Sequence, residues 1–213
     1  MHNIVIVGAS GTGREVYISL TELGERENIK GFLDLNNDAL HNSKIDLPIL
    51  GTEESYTPES NDMFVIAITD YKIKKKITNI LKNKNAKFHS VIHPTAIISE
   101  YSELGTGVII YPFSSISSDT SVGSFTIVNV GASIGHDVTV GEYSYIGTNT
   151  VLGGWSAIGN ECYIGSGSFI AQRSIVENKS KVSSNVSVFC KIKRGEIVMP
   201  LRIRKVKGGM LTD

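Results

Sequence analysis

Aliphatic residues recur at every sixth position along the second half of the chain, without a break in register. The series consists of Ile92, Ile98, Leu104, Ile110, Ile116, Val122, Val128, Ile134, Val140, Ile146, Leu152, Ile158, Ile164, Ile170, Val176, Val182 and Val188. A period of six matches neither the helical period nor the heptad, and the segment is rich in glycine and β-branched residues. The pattern therefore predicts a parallel β-helix whose aliphatic residues point inward and stack from coil to coil.

Two further positions of the repeat support this prediction. Small or β-branched residues stand two positions before the aliphatic one, at Ser114, Thr120, Thr126, Ala132, Val138, Ser144, Thr150, Ser156, Cys162, Ser168, Ser174 and Ser180. Glycine often follows the aliphatic residue, as at Gly105, Gly123, Gly135, Gly141, Gly147, Gly159 and Gly165. We expect the small residue to let the chain turn and the glycine to relax the dihedral restriction at the corner. The pattern stops after Val188, and the residues beyond it are expected to form a C-terminal cap.

The first part of the chain has a different pattern, typical of a small α/β domain. An apolar strand at Asn3–Val7 is followed by a glycine-rich turn, a helix over Arg14–Gly24 and a second strand at Lys30–Leu33. Strands are also predicted at 63–68 and 87–92, a lysine-rich helix at 72–81, and mostly loop over 35–62. This organisation predicts a Rossmann-like parallel sheet over residues 1–91 and the β-helix over residues 92–213, with His93-Pro94 at the junction.

The glycine-rich turn, Gly8-Ala9-Ser10-Gly11-Thr12-Gly13, has the spacing G-x-x-G-x-G rather than the dinucleotide fingerprint. The turn opens a helix whose free N–H groups favour a phosphate, and Asp34 ends the next strand, where it can accept hydrogen bonds from a ribose or base. We therefore predict a nucleotide-bearing ligand, with a purely structural turn as the alternative. The domain is too small for redox use of NAD. The lysines of the run 72–76 are interpreted as a solvated helix face.

Composition narrows the possible partners. The chain has 213 residues with 21 basic and 21 acidic side chains, which does not favour a nucleic-acid partner. No apolar run reaches the length of a membrane span, and the first residues do not resemble a signal peptide, so no membrane partner is expected. The two cysteines, Cys162 and Cys190, suit a reducing cytoplasm, and neither is in a setting typical of a nucleophile.

The hexapeptide pattern resembles the left-handed β-helix acyltransferases. That resemblance implies three hexads per coil, a homotrimer, and active sites between neighbouring subunits. If a coil has eighteen residues, Gly154 lies one coil above His136, and Ser184 lies one coil above Ser166. A base with a free N–H about one rung away is the arrangement that acyl transfer needs.

His136 is the only histidine after His93, and Asp137 follows it directly. Two residues after the inward Ile134, His136 is expected at a corner with its side chain facing out. The alternative is an ordinary polar corner residue. No metal site is expected, because the β-helix carbonic anhydrases need three histidines and this repeat offers one.

Almost the whole chain resembles the sialic acid O-acetyltransferase NeuD family, which includes PglD-like nucleotide-sugar N-acetyltransferases. The resemblance is carried by the start I-V-I-V-G-A-S-G-T-G, the strand end G-F-L-D, the segments A-I-T-D-Y-K-I-K-K-K and V-N-V-G-A-S-I-G-H-D, and the close V-M-P-L-R-I. It implies that His136 is the general base, supported by Asp137, and that Asn129 lines the substrate pocket. It also implies that Gly154, Tyr145, Ser166 and Ser184 occupy acetyl-CoA positions, although PglD-like members carry a second histidine where this chain has Tyr145. The nucleotide-binding positions of the family correspond to Ser10, Gly11, Thr12, Asp34 and Leu35.

The resulting hypothesis is an acetyl-CoA-dependent N-acetyltransferase. Its expected acceptor is the amino group of a nucleotide-linked 4-amino-dideoxy sugar in bacterial surface-glycan biosynthesis. The alternatives are a sialic acid O-acetyltransferase and, from another class, a non-catalytic β-helix scaffold or nucleotide-sensing subunit. The basic tail contains Lys191, Lys193, Arg194, Arg202, Arg204, Lys205 and Lys207, and is predicted to be either a solvated end cap or a contact for the phosphates of coenzyme A.

Overall fold

The computed structural model describes residues 2–200, which form a small α/β unit followed by a three-sided parallel β-helix. The first unit has a parallel sheet in the order β2-β1-β3-β4. Its elements are β1 (Asn3–Val7), α1 (Gly11–Glu22), a 3-10 turn (Arg26–Asn28), β2 (Ile29–Leu33), β3 (Asp62–Ile66), α2 (Tyr71–Asn83) and β4 (Lys87–Phe88). The two predicted helices and the first three predicted strands are present, with ends that differ by up to three residues. The segment between β2 and β3 is mostly loop, as expected.

The β-helix has three faces, each a parallel sheet of two-residue strands. Face 1 contains β5 (Val91–Ile92), β8 (Ile109–Ile110), β11 (Ile127–Val128), β14 (Tyr145–Ile146), β17 (Tyr163–Ile164), β20 (Lys181–Val182) and β23 (Ile197–Val198). Face 2 contains β6 (Ile97–Ile98), β9 (Ser115–Ile116), β12 (Ser133–Ile134), β15 (Val151–Leu152), β18 (Phe169–Ile170) and β21 (Ser187–Val188). Face 3 contains β7 (Glu103–Leu104), β10 (Ser121–Val122), β13 (Thr139–Val140), β16 (Ala157–Ile158), β19 (Ile175–Val176) and β22 (Lys191–Ile192).

The aliphatic series forms the core of the prism. Up to Ile170, each inward residue is paired with the residue eighteen positions later, as in Val122 with Val140 and Ile134 with Leu152, so a coil has three hexads. From Ile110 onward, the inward residues of the series are at most 2 % exposed. The small residues two positions before them are also buried, including the Cys162 thiol. The predicted hexad pattern is therefore confirmed, and its small residues are buried along with the aliphatic ones.

The glycines that follow the inward residues have a different role from the one expected. The left-handed backbone conformation occurs three positions after the inward residue, at non-glycine residues such as Asp137 (φ 57°) and Trp155 (φ 57°). Glycines such as Gly123 and Gly147 do not have positive φ, but a Cβ on either would collide with backbone atoms of the next coil. Close approach between coils, rather than dihedral freedom, therefore requires glycine there.

The solenoid continues beyond Val188, where the hexad pattern of the sequence stops. The chain continues through β22 and β23, which pair with β19 and β20. The hexad periodicity is interrupted because Ile192 follows Val188 by four residues, so Val176 pairs with a residue only sixteen positions later. The tail residues Lys191, Lys193 and Arg194 belong to this last coil, whereas Arg202, Arg204, Lys205 and Lys207 lie outside the described residues.

The strand predicted at 87–92 is two strands in different sheets. β4 completes the sheet of the first unit, and β5 starts face 1 of the prism after Ser90. The first unit packs on this same face, where Ile109, Tyr111 and Ile127 share one buried cluster with residues of β1 and α1. His93, at the predicted junction, makes a 2.6 Å contact with Glu22 at the end of α1. These contacts fix the first unit on face 1.

Lys74 corrects the interpretation of the lysine run as a solvated face. Its side chain is completely buried, and Nζ donates a 2.9 Å hydrogen bond to the carbonyl oxygen of Phe125 in the prism. Burial lowers the pKa of Lys74 to about 7, although Asp70 partly opposes that effect. Lys72 and Lys76 on the same helix are exposed, as expected.

This buried amine predicts a pH-dependent stability. The unfolded chain keeps a proton on Lys74 up to a pKa near 10.5, whereas the folded chain releases it near pH 7, so stability should rise with pH between these values. The contribution is at most about 1.4 kcal/mol per pH unit. Urea unfolding at pH 6 to 10 should show this slope in the wild type and in the exposed control Lys72→Met. The slope should be reduced in Lys74→Met, and an unchanged slope there would contradict a neutral buried amine.

Candidate active site

His136 lies at the corner between faces 2 and 3, with its side chain directed outward. The strand β12 ends at the inward Ile134, and the chain turns at Gly135 and His136 into the left-handed residue Asp137. The Nδ1 atom of His136 lies 2.8 Å from Oδ2 of Asp137. The two side chains are 47 % and 40 % exposed, so the pair is open to an incoming molecule. If the carboxylate accepts from Nδ1–H, Nε2 is left as the proton acceptor.

Gly154 lies directly above the imidazole, as the coil arithmetic predicts. A Cβ on Gly154 would stand 2.7 Å from both Cε1 and Nε2 of His136. The neighbouring Trp155 meets the ring of His136 edge to face, at a centroid separation of 4.3 Å. Trp155 is in turn covered by the guanidinium of Arg173, 5.3 Å from the ring centroid. The absence of a side chain at Gly154 thus provides the space that the imidazole occupies.

The backbone N–H of Gly154 is available to a ligand. At the corner between faces 3 and 1, the N–H of the corresponding hexad position is capped by a side chain from the next coil, as in Glu142 N–H to Asn160 Oδ1 at 2.8 Å. The N–H of Asn160 is capped in the same way by Asn178, at 2.9 Å. Among residues 2–200, the N–H of Gly154 has no such partner. A free donor therefore stands beside the imidazole, in an arrangement that can stabilise a developing oxyanion.

A groove of about 550 Å³, lined by serine hydroxyls and isoleucine side chains, runs along face 2 and ends at His136. Its lining is rich in hydroxyl groups and contains Ser99, Ser115, Ser117, Ser118 and Ser133. The groove gives an extended molecule access to the imidazole. It was not predicted, because the serines occupy outward strand positions and corner positions whose alignment appears only when the coils stack.

The predicted nucleotide site lies at the carboxyl edge of the first unit's sheet. Asp34 and Leu35 line a cavity of about 290 Å³ together with Gly8, Glu53 and Lys76. Ser10, Gly11 and Thr12 stand at the start of α1 and do not line that cavity. Among the described residues, Ser10 makes no side-chain capping bond, so the first amides of α1 remain available to an anion. Glu53 and Lys76 were not predicted, because only the fold brings the loop and α2 to this edge.

Asp34 has a structural role in addition to the predicted one. Its carboxylate accepts hydrogen bonds from the N–H groups of Ala9 (2.8 Å) and Asn36 (2.9 Å), which ties the glycine-rich turn to the end of β2. Gly13 is required by packing, since a Cβ there would collide with the carbonyl oxygen of Gly8. Each carboxylate oxygen of Asp34 can accept a further hydrogen bond, so contact with a ribose stays a prediction.

The remaining predicted residues lie at face 1 and at the corner between faces 1 and 2. Asn129 donates a 2.7 Å hydrogen bond to the hydroxyl of Tyr145, whose ring stacks on Tyr163. Burial raises the pKa of Tyr145, so its hydroxyl is protonated at neutral pH. Ser166 and Ser184 stand one coil apart on that same corner, as predicted. Face 2 separates all four residues from His136 within one chain.

The contact between Trp155 and the imidazole of His136 was not predicted from the sequence. It is the single tryptophan of the chain, it directly follows Gly154, and it is 46 % exposed. An exposed tryptophan beside a catalytic candidate was a usable signal. Neither cysteine is a nucleophile candidate, because Cys162 is buried with a raised pKa caused by desolvation, and Cys190 lies in the last coils away from His136.

Comparison with known proteins supports this architecture. Residues 3–81 match the family model described as the PglD N-terminal domain. No curated protein sequence matches the chain. The match places the first unit in a recognised domain type, which agrees with the predicted resemblance.

Solved structures match most of the chain. The acetyltransferase domain of PglB from Neisseria gonorrhoeae, in complex with acetyl coenzyme A, has a TM-score of 0.84 at 24% identity, covering 92% of this chain and 95% of that one. PerB from Caulobacter crescentus, in complex with CoA and GDP-perosamine, has a TM-score of 0.85 at 22% identity, covering 92% and 93%. WeeI from Acinetobacter baumannii has a TM-score of 0.63 at 21% identity, covering 90% and 96%. These matches confirm the predicted fold, a small parallel α/β unit followed by a left-handed parallel β-helix.

The contact between Gly154 and His136 gives a direct test of the corner geometry. Gly154→Ala should displace the imidazole and break its contact with Asp137, while the fold survives because a surface side chain can move aside. NMR of the histidine ring resonances should show His136 shifted, with thermal unfolding nearly unchanged. Gly11→Ala is the matched control, because no atom lies within 4 Å of a Cβ there. An unperturbed His136 resonance in Gly154→Ala would contradict this geometry.

Proposed function

We propose that this protein is an acetyl-CoA-dependent N-acetyltransferase of the NeuD/PglD-like type. The proposed acceptor is the amino group of a nucleotide-linked 4-amino-dideoxy sugar, used in bacterial surface-glycan biosynthesis. The observation that carries the proposal is the corner where a carboxylate-supported imidazole lies beneath the free N–H of Gly154. The similarity to proteins described with acetyl coenzyme A and with CoA plus GDP-perosamine supports the two substrate classes.

The proposed reaction is direct transfer. Nε2 of His136 takes a proton from the acceptor amine as the nitrogen attacks the thioester carbonyl carbon. Asp137 stabilises the imidazolium through Nδ1–H, and the N–H of Gly154 donates to the oxyanion of the tetrahedral intermediate. The C–S bond then breaks, and the leaving thiolate of coenzyme A recovers the proton from the imidazolium. No covalent enzyme intermediate is needed, because neither cysteine is placed to form one.

The arrangement of the two ligand regions supports a site shared between subunits. The first unit sits on face 1, whereas His136 stands at the corner between faces 2 and 3, which is opposite face 1 in a three-sided prism. The nucleotide cavity and the imidazole of one chain therefore face away from each other. A sugar held in the cavity of one chain is expected to reach the His136 of a neighbouring chain.

The exposed apolar residues indicate which face of the prism is covered in this assembly. Most of the large exposed apolar side chains of the prism lie on face 2 or its two corners: Ile97, Tyr101, Phe113, Val130, Val151, Trp155, Phe169 and Phe189. Contiguous exposed apolar surface is typical of a contact with another chain. A homotrimer with three-fold symmetry would cover this face in every subunit and would bring His136 to the seam.

A thiol-release assay with acetyl-CoA tests the proposed activity and its acceptor. UDP-, dTDP- and GDP-linked 4-amino sugars should release thiol, and mass spectrometry should show an acetamido product. Turnover with sialic acid alone would instead indicate an O-acetyltransferase. Nucleotide binding without thiol release from any acceptor would indicate a scaffold or sensing subunit.

Removal of the imidazole should slow the reaction without unfolding the protein. His136→Ala is expected to lower kcat by about 10²- to 10⁴-fold, the usual contribution of a general base. Asp137→Asn should have a smaller effect, because the base itself remains. His41→Ala is the matched control, since His41 is exposed in a loop of the first unit. Wild-type turnover by His136→Ala would exclude the proposed mechanism.

Subunit mixing tests whether the site is shared. His136→Ala removes the base. Gly11→Leu places a side chain over the start of α1, where the nucleotide is expected to bind, and it meets no protein atom because nothing lies within 4 Å of a Cβ at Gly11. Each variant alone should therefore be inactive. Trimers refolded from an equal mixture should recover about a quarter of the wild-type activity, because a quarter of the seams then combine an intact base with an intact nucleotide site. Size-exclusion chromatography with light scattering checks the trimer. Recovery of no activity by a properly assembled mixed trimer would place both parts of the site in one chain.

A further inference from the structure

Three potential metal ligands converge at the end of the first sheet that lies opposite the glycine-rich turn. His2 directly precedes β1, Glu25 follows α1, and His89 follows β4. Oε2 of Glu25 lies 3.5 Å from Nε2 of His2 and 3.4 Å from Nε2 of His89. All three ligand atoms lie within 4.8 Å of one another. No sequence pattern connects these three residues, because they are far apart along the chain.

Two of the three ligand atoms are buried but not satisfied by the protein. Nε2 of His2 and Oε2 of Glu25 are inaccessible to solvent and have no hydrogen-bond partner among the described residues. The separations from Glu25 exceed an ordinary hydrogen-bond length of roughly 2.7–3.2 Å. Unpaired polar atoms in such positions are rare and indicate a missing ion or water. These two atoms and Nε2 of His89 lie within 4.8 Å of one another, so a single group placed between them could contact all three.

The two separations measured from Glu25, 3.5 Å and 3.4 Å, fit a tetrahedral first-row cation. Zinc binds histidine nitrogen and carboxylate oxygen at roughly 2.0–2.2 Å, which places neighbouring ligand atoms of a tetrahedron about 3.3–3.6 Å apart. Two imidazoles and one carboxylate are ligands that this class of ion accepts. From this geometry we infer that His2, Glu25 and His89 form a binding site for a divalent first-row cation, with zinc as the probe ion and a water molecule as the fourth ligand.

The backbone around the three ligands is well anchored. The N–H of Asn3, next to His2, donates to Asn61, and the N–H of Glu25 donates to Leu20, both at 2.9 Å. The N–H of His89 donates to the carbonyl oxygen of Phe64, also at 2.9 Å. A bound cation would join the start of β1, the end of α1 and the short link between β4 and the prism. Its role is therefore structural, as a clasp at the junction of the two units, and it is separate from the proposed reaction.

Metal binding by the untagged full-length protein tests this site. After treatment with EDTA, isothermal titration with zinc chloride should show one site per chain, and zinc should raise the Tm. Cobalt chloride should give the visible absorption of a tetrahedral cobalt centre. His89→Gln and Glu25→Gln should each weaken binding by at least about tenfold, since loss of an outer-shell partner alone has an effect of that size. His41→Gln, which changes an exposed histidine, should bind as the wild type does.

Two outcomes would overturn the inference. The first is the absence of stoichiometric zinc binding by the folded wild type. The two imidazoles and Glu25 would then interact only with one another. The second is binding of equal strength in His89→Gln, Glu25→Gln and the wild type, which would place the metal elsewhere on the surface. Circular dichroism of each variant confirms that a loss of binding does not come from unfolding. Acetyl transfer need not be measured, so failure of this inference leaves the proposed function untouched.

Discussion

The eighteen-residue register between successive coils is the constraint on which the rest of the prism depends. Each two-residue strand is too short to be stable alone, and it gains hydrogen-bond partners and a buried inward side chain only from the coils above and below. The inward ladder of Ile134 on Leu152 and Ile170 holds this register on face 2. A slip by one residue would turn every inward side chain outward, so the register is strongly specified.

The same register creates the candidate active site. Because coils repeat every eighteen residues, the residue above His136 is Gly154, and a residue with any side chain there would occupy the space of the imidazole. Asp137 takes the left-handed position of the corner, which brings its carboxylate to Nδ1 of the preceding histidine. The catalytic candidates therefore occupy ordinary corner positions of the repeat, where this chain has an imidazole and a carboxylate. Among the described residues the Gly154 N–H has no hydrogen-bond partner, which leaves it free for a ligand.

The two units of the chain are joined by buried polar contacts as well as by apolar packing. Lys74 crosses from α2 to the carbonyl oxygen of Phe125, and His93 meets Glu22 at the start of the prism. Burial of an amine costs desolvation free energy, and the hydrogen bond from Lys74 offsets part of that cost while it fixes the orientation of the two units. These contacts hold the nucleotide cavity on face 1 and away from the imidazole of the same chain. The proposed sharing of sites between subunits follows from that placement.

The sequence by itself determined the solenoid, its inward residues and the α/β character of the first unit, because a hexad of aliphatic residues and a strand–glycine–helix pattern are local signals. It also singled out His136 and Gly154, which are one coil apart, and Asp137, which directly follows His136. Only the tertiary structure decided that the prism continues to Val198, that Lys74 is buried, and that Trp155 packs against His136. It alone assembled His2, Glu25 and His89 as well. The physical reason is that these features depend on contacts between residues that no period connects, so they exist only once the chain has folded.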